Sequence, residues 1–171
     1  MKLNLGCGER YVEGWHNVDH ALMPHRVDEV VDLTGELPWM AESVTAIYAG
    51  HVLEHLSLDA CYRLLSRLWR CAVDFAPILV VGPDVDLAEA MTDEHGWVNA
   101  RQGVSLAQIR DGANRWAGDG HLWRCTGEGL VDLLTDTDWS LVDNIGIDAV
   151  PDFWPVADRD QKWQCAVLAV K

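Results

Sequence analysis

The pattern of this chain predicts an α/β domain, doubly wound around a single mostly parallel sheet and closed by an antiparallel C-terminal strand. Three observations carry that reading. Short apolar runs rich in Val and Ile alternate with segments of helical period, the arrangement that builds strand–helix–strand units. Two glycines, Gly6 and Gly8, stand where the first of those runs ends. The chain finishes in two apolar runs separated by a loop carrying Pro151 and Pro155, which reads as a hairpin.

In chain order, strands are expected at 3–5, 16–19, 27–32, 46–49, 78–81, 140–147 and 164–170. The clearest helix begins after Ser57, a good N-cap, with Asp59 in its first turn where the helix dipole favours a carboxylate. Cys61, Leu64, Leu65, Leu68 and Ala72 then share one face, and Pro77 is expected to close the segment. Only residues 9–14 separate Gly8 from Trp15, too few for a full crossover helix, so a reduced first crossover is expected. Residues 83–124 carry scattered glycines and weak helical patterns at 87–91 and 104–109; they read as a lid or substrate-side insertion within a single domain, 1–171. A helix resumes after Thr126.

The 171 residues are 49% hydrophobic and 23% charged, enough for one real core and too apolar for a disordered chain. Thirteen basic against 27 acidic residues leave a net charge of −14, a field that opposes nucleic-acid phosphates. The longest apolar run, 75–81, falls far short of the roughly 20 residues that span a bilayer, and no basic region opens the chain; no membrane span or secretory signal is expected. Cys7, Cys61, Cys71, Cys125 and Cys165 form no C-x-x-C pair and lie mostly in apolar segments, which reads as buried thiols in a reducing, cytoplasmic setting.

The chemistry concentrates at strand ends. In L-N-L-G-C-G the glycines let a ligand approach the backbone closely. The second strand ends in Asp19, a carboxylate able to accept from two ribose hydroxyls; the third ends in Asp32-Leu33, where an acceptor and backbone amides could read an adenine edge. All would gather at the carboxyl edge of the sheet, where open α/β sheets bind ligands. Taken singly, each has a plainer alternative, a β-turn for the glycines and solvated strand ends for the aspartates. Asp19→Ala is accordingly expected to weaken ligand binding with little loss of stability.

Taken in order, L-N-L-G-C-G, G-W-H-N-V-D, V-V-D-L-T-G-E-L-P-W and I-Y-A-G-H-V-L-E-H-L resemble the short class I S-adenosylmethionine-dependent methyltransferases of the methyltransferase type 11 kind, which have a Rossmann-like fold. The resemblance covers residues 3 to about 83 and continues more thinly through D-G-H-L-W-R-C-T-G-E-G-L. It implies that Gly6, Cys7 and Gly8 bound the methionine moiety, that Asp19 takes the ribose and Asp32 with Leu33 the adenine, and that Gly50 and His51 face the sulfonium and the acceptor. The implied activity is methyl transfer from S-adenosylmethionine to oxygen or nitrogen on a small molecule, a sugar or a peptide side chain.

Two other readings stand beside it. The first is a cofactor-binding module without turnover, suggested by the reduced crossover. The second is a zinc peptidase, because His51, Glu54 and His55 match H-x-x-E-H. That motif needs one continuous helix, whereas here it straddles a strand-to-helix junction, so no metal is expected on His51 and His55. Candidate acceptor-side bases are His121 and Asp84, the alternatives being a hydrogen-bonded loop histidine and an N-cap for a helix at 85–91. Of the nine tryptophans, Trp69, Trp139 and Trp163 are expected in the core, and Trp97, Trp116, Trp123 and Trp154 on the substrate wall, with Trp123 stacking on the acceptor.

Overall fold

A strand covered on both faces must be apolar on both sides, and the two central runs obey this rule. In the computed structural model, which describes residues 1–20, 26–113, 120–146, 149–153, 155–157 and 162–171, β4 (Ala46–Gly50) and β5 (Pro77–Pro83) bury nearly every side chain. They sit beside β1 (Lys2–Leu5), β2 (His16–Asp19) and β3 (Glu29–Val30), all parallel. The hairpin of β8 (Ser140–Ile145) and β9 (Gln164–Val170) completes the sheet, with β9 antiparallel to β5 over its full length. Among the described residues the order is β3-β2-β1-β4-β5-β9-β8.

The expected elements are present, with three shifts. The third strand shrinks from the expected 27–32 to two residues, flanked by single backbone bonds from Asp28 N to the Asn17 carbonyl and from Val31 N to the Asp19 carbonyl. Helix α1 (Leu58–Cys71) starts on Ser57, whose hydroxyl accepts from Ala60 N, but ends well before Pro77. Ala72 leaves the helix to bridge Val44, and Val73 N donates to the Val44 carbonyl, so a tertiary contact ends the helix and the proline only opens β5. In the 83–124 segment, α2 (Val85–Met91) is followed by a small hairpin of β6 (Trp97–Asn99) and β7 (Val104–Ser105), then by α3 (Leu106–Asp111). Helix α4 (Gly127–Thr135) follows the Thr126 cap as expected.

The two faces of the sheet are covered differently. Leu3, Leu5, Val18, Ile47, Ile78, Val80 and Val167 pack against the apolar stripes of α1 and α4. The opposite face carries Trp15, Tyr48, Leu79, Val81, Phe153 and Val156, covered by connecting chain and a 3-10 turn, Pro151–Phe153. The short crossover lies on this side. Its backbone is held by two buried asparagines that pair across β1 and β2: Asn4 Nδ2 donates to Asn17 Oδ1 and to the Arg10 carbonyl, while Asn17 accepts from Val12 N and donates to the Val12 and Trp15 carbonyls. The asparagine side chains, themselves buried, supply partners for loop backbone groups that a helix would have found within itself.

All five cysteines are buried free thiols. No helix among the described residues is long and apolar enough to cross a membrane. Trp116 and Trp154, the end of the expected strand at Ile147, and Asp119 of the D-G-H motif lie outside the described residues.

Candidate functional site at the carboxyl edge of the sheet

Because β1 to β5 are parallel, their ends bring Gly6-Cys7-Gly8, Asp19, Gly50-His51 and Gly82-Pro83-Asp84 to one edge. The antiparallel β9 contributes its beginning, Gln164, with Trp163 just before it.

On the β1–β2 side, Gly8 N donates to Asp19 Oδ2 at 2.8 Å, and His20 N donates to Oδ1 at 2.7 Å. Asp19 is only 5% exposed, so it is no solvated strand end. Truncating it would strand two backbone amides, which corrects the expectation of little stability loss. Gly6 and Gly8 both have positive φ, at 60° and 52°. A Cβ on Gly6 would strike the Val52 side chain at 2.5 Å, whereas one on Gly8 would meet nothing within 4 Å. Gly8 is therefore the glycine that opens onto unfilled space. Burial, reinforced by the Asp19 charge, pushes the Cys7 thiol up to about 11, so it stays protonated and unreactive at neutral pH. Asp32 is exposed; its Oδ1 accepts from Thr34 N and Oγ1, which holds the carboxyl below its usual range. The Leu33 side chain is buried in the main core, so its backbone is the part that can meet an adenine edge.

On the β4–β5 side, a Cβ at Gly50 would overlap the Tyr48 ring, so this glycine makes room for that tyrosine. His51 has φ 56°, a left-handed conformation that a non-glycine residue rarely adopts and that is common where side chains are aimed for function. Its Nδ1 lies 3.1 Å from Glu54 Oε1 and its Nε2 3.0 Å from Gln164 Oε1, and the ring meets the Trp163 indole edge-on at 5.8 Å. A carboxylate can only accept, so Nδ1 donates to Glu54, and the Gln164 carbonyl oxygen sets a second acceptor against Nε2. Glu54 is fully buried; burial pushes its carboxyl up, and the His51 hydrogen bond with the nearby imidazoles outweighs this and holds it down, hence ionised.

Behind His51 the chain turns through a 3-10 helix, Leu53–His55, before α1 begins. His51 and His55 therefore share no continuous helix. His55 instead packs against His121, ring centroids 5.0 Å apart, with its Nδ1 3.4 Å from the Gly120 carbonyl. Leu122 N donates to the Glu54 carbonyl and Trp123 Nε1 to the Leu53 carbonyl, stitching the end of the insertion to the 3-10 turn. Burial lowers the His121 pKa, with Glu54 opposing, so the imidazole is neutral at pH 7.

Several expectations move accordingly. Both Asp84 oxygens accept backbone amides, Leu87 N and Gly127 N, so Asp84 serves as the cap of α2 and a tie to α4. Trp123 packs against the main core, half-buried, with its N–H committed to the Leu53 carbonyl. Trp163, expected in the core, stands instead beside His51, and Trp97 is exposed on β6. Glu54's role and Gln164 were missed as parts of the edge. The predicted closing hairpin held the signal for Gln164, since an antiparallel last strand starts where its parallel neighbours end.

No protein-family model and no curated protein matches the chain. Solved structures do. A SAM-dependent methyltransferase from Archaeoglobus fulgidus superposes with a TM-score of 0.62 at 14% identity, covering 99% of this chain and 85% of that one. One from Methanosarcina mazei gives 0.62 at 13% identity, covering 99% and 91%. Human N-acetylserotonin methyltransferase, solved in complex with SAM (S-adenosylmethionine), gives 0.50 at 18% identity; the match covers 84% of this chain but only 33% of that longer one. At these identities the likeness establishes the fold, which is that of the SAM-dependent methyltransferases.

Proposed function

We propose that this protein is a methyltransferase that uses S-adenosylmethionine and acts on oxygen or nitrogen of a small molecule, sugar or peptide side chain. The observation that carries the reading is the pairing of Gly8 with Asp19 at the carboxyl edge: a left-handed glycine opening onto unfilled space, its amide on a buried carboxylate. In this reading the Gly6–Gly8 turn lies along the methionine moiety, Asp19 accepts from the ribose hydroxyls, and Asp32 with the Leu33 backbone meets the adenine. When bound, the cofactor supplies a methyl group on an electrophilic sulfonium. The protein's task is then positioning and exclusion of water, effects that contribute on the order of 7–11 kcal/mol. His51, aimed by Glu54 and Gln164 with Trp163 against its ring, is the residue we place beside the acceptor. His121 stands behind it, against His55. The net charge of −14 and the buried free thiols fit a non-nucleic-acid acceptor and a reducing compartment.

Thermal denaturation with S-adenosylhomocysteine tests the reading, because a ligand that binds only the folded state raises its melting temperature. A shift that Asp19→Ala abolishes is expected; no shift at millimolar ligand overturns it. The short crossover favours a second reading, a cofactor-binding module without turnover. Transfer of label from S-adenosylmethionine to any product in an extract of small metabolites separates the two.

A further inference from the structure

The buried carboxylate of Glu54 uses one oxygen for His51, and the other, Oε2, has no partner among the described residues. His121 Nδ1 is likewise buried and unpartnered. Two buried polar atoms of this side-chain cluster thus lie without a partner, and each unsatisfied buried polar group costs on the order of 1–3 kcal/mol. They are not hydrogen-bonded to each other, so a single shared proton does not satisfy both.

We infer that Glu54, His55 and His121 form a binding site for a divalent transition metal of the zinc class. One ligand atom from each lies within 4.8 Å of the others. Donors in a tetrahedral zinc shell, with bonds of about 2.0–2.1 Å, stand roughly 3.3–3.5 Å apart, so small ring rotations suffice to close on an ion. The supporting contacts have the pattern that orients metal-binding imidazoles. His55 Nδ1 lies 3.4 Å from the Gly120 carbonyl, a backbone partner for one ring nitrogen. Glu54 is held from its far side by His51. Two imidazoles and one carboxylate suit zinc and its neighbours better than magnesium or calcium, which prefer all-oxygen shells. Three protein ligands leave a fourth position for water, and both histidines keep part of their surface in solvent.

This triad is not the H-x-x-E-H arrangement weighed from the sequence. His51 is no ligand here, and the third donor comes from the far end of the insertion. An ion at this point would clamp residues 120–123 to the turn after β4, next to the edge that carries His51. The inference is independent of the methyltransferase reading, because it concerns metal binding without cofactor.

The test is calorimetric titration of zinc chloride into chelator-dialysed protein under reducing conditions, paired with the visible spectrum of the cobalt-substituted protein. One equivalent of zinc is expected, with a cobalt spectrum of nitrogen and oxygen ligands. Glu54→Gln, which keeps shape while removing charge, and His121→Ala are each expected to weaken binding by more than about 100-fold, and His51→Ala, which removes only the group that orients Glu54, by about 10–100-fold. His95→Ala, at an exposed site, serves as the control. Circular dichroism on each variant separates lost ligands from lost fold. Absence of stoichiometric zinc overturns the proposal. So does undiminished affinity in a folded His121→Ala or Glu54→Gln, or a thiolate-to-cobalt absorption pointing to the buried cysteines.

Discussion

One face of the sheet is sealed by helices and the other by loops, and the two solve the burial problem with different chemistry. Under α1 and α4 the contacts are mostly aliphatic, and the helices pair their own backbones. On the opposite face the chain between β1 and β2 is too short for a helix, so its amides and carbonyls come to Asn4 and Asn17, both almost wholly buried. The difference teaches that a missing helix is not merely missing apolar area; it is also a set of backbone groups that buried side chains must satisfy. It also explains why a buried Asn alternates with Leu in L-N-L: the leucines face the helices and the asparagine faces the loop.

Four experiments probe that contrast, in decreasing order of expected effect. Leu65 is fully buried beneath α1, so Leu65→Ala should cost about 3–4 kcal/mol in chemical denaturation; a cost below about 1 kcal/mol would mean the helical face is loosely packed. Asn17→Ala removes partners from Val12 N, two carbonyls and Asn4 at once and should cost about 2–3 kcal/mol. If it proves neutral, the loop face is held by its aromatics alone. Asp19→Ala frees Gly8 N and His20 N and should cost about 1–2 kcal/mol while also removing the stabilisation by S-adenosylhomocysteine. Loss of binding at unchanged stability would show that water replaces the carboxylate without cost.

The smallest effect concerns pH. Hydrogen bonds from the Asn17 backbone and side chain hold the Asp28 carboxyl below its usual range. A carboxyl whose folded pKa is depressed stabilises the fold above the unfolded pKa, and this contribution disappears as pH falls through the folded value. Asp28→Asn should therefore be less stable than the parent at pH 7, and the gap should close in acid. A gap independent of pH would assign the effect to packing.

Where the signal was local, the chain could be read directly. The bounds of β2, β9 and α2 coincide with the expected runs, because alternation, apolar continuity and the Asp84 cap lie within the elements themselves. Asp84 shows the limit of this. Its cap to Leu87 was foreseeable from spacing, whereas its second bond, to Gly127, joins positions that only folding brings together. Trp163 and Gln164 are similar, read as part of a strand and its approach, yet delivered to the ligand edge by the antiparallel pairing of β9 with β5.

The alternation of elements, the glycine turn with its facing aspartate, the short crossover and the closing hairpin were legible because each rests on periodicity, chain length or the conformational needs of single residues. The end of α1 at Cys71, the burial of Leu33, the committed indole of Trp123 and the meeting of Glu54, His55 and His121 were not. Each depends on which distant segment arrives alongside. His55 and His121 carry nothing in their own neighbourhoods that names the other, and they touch because the end of the insertion docks its backbone onto the turn after β4. Pairwise contact across the chain is set by the packing of the whole sheet, and no local pattern encodes it.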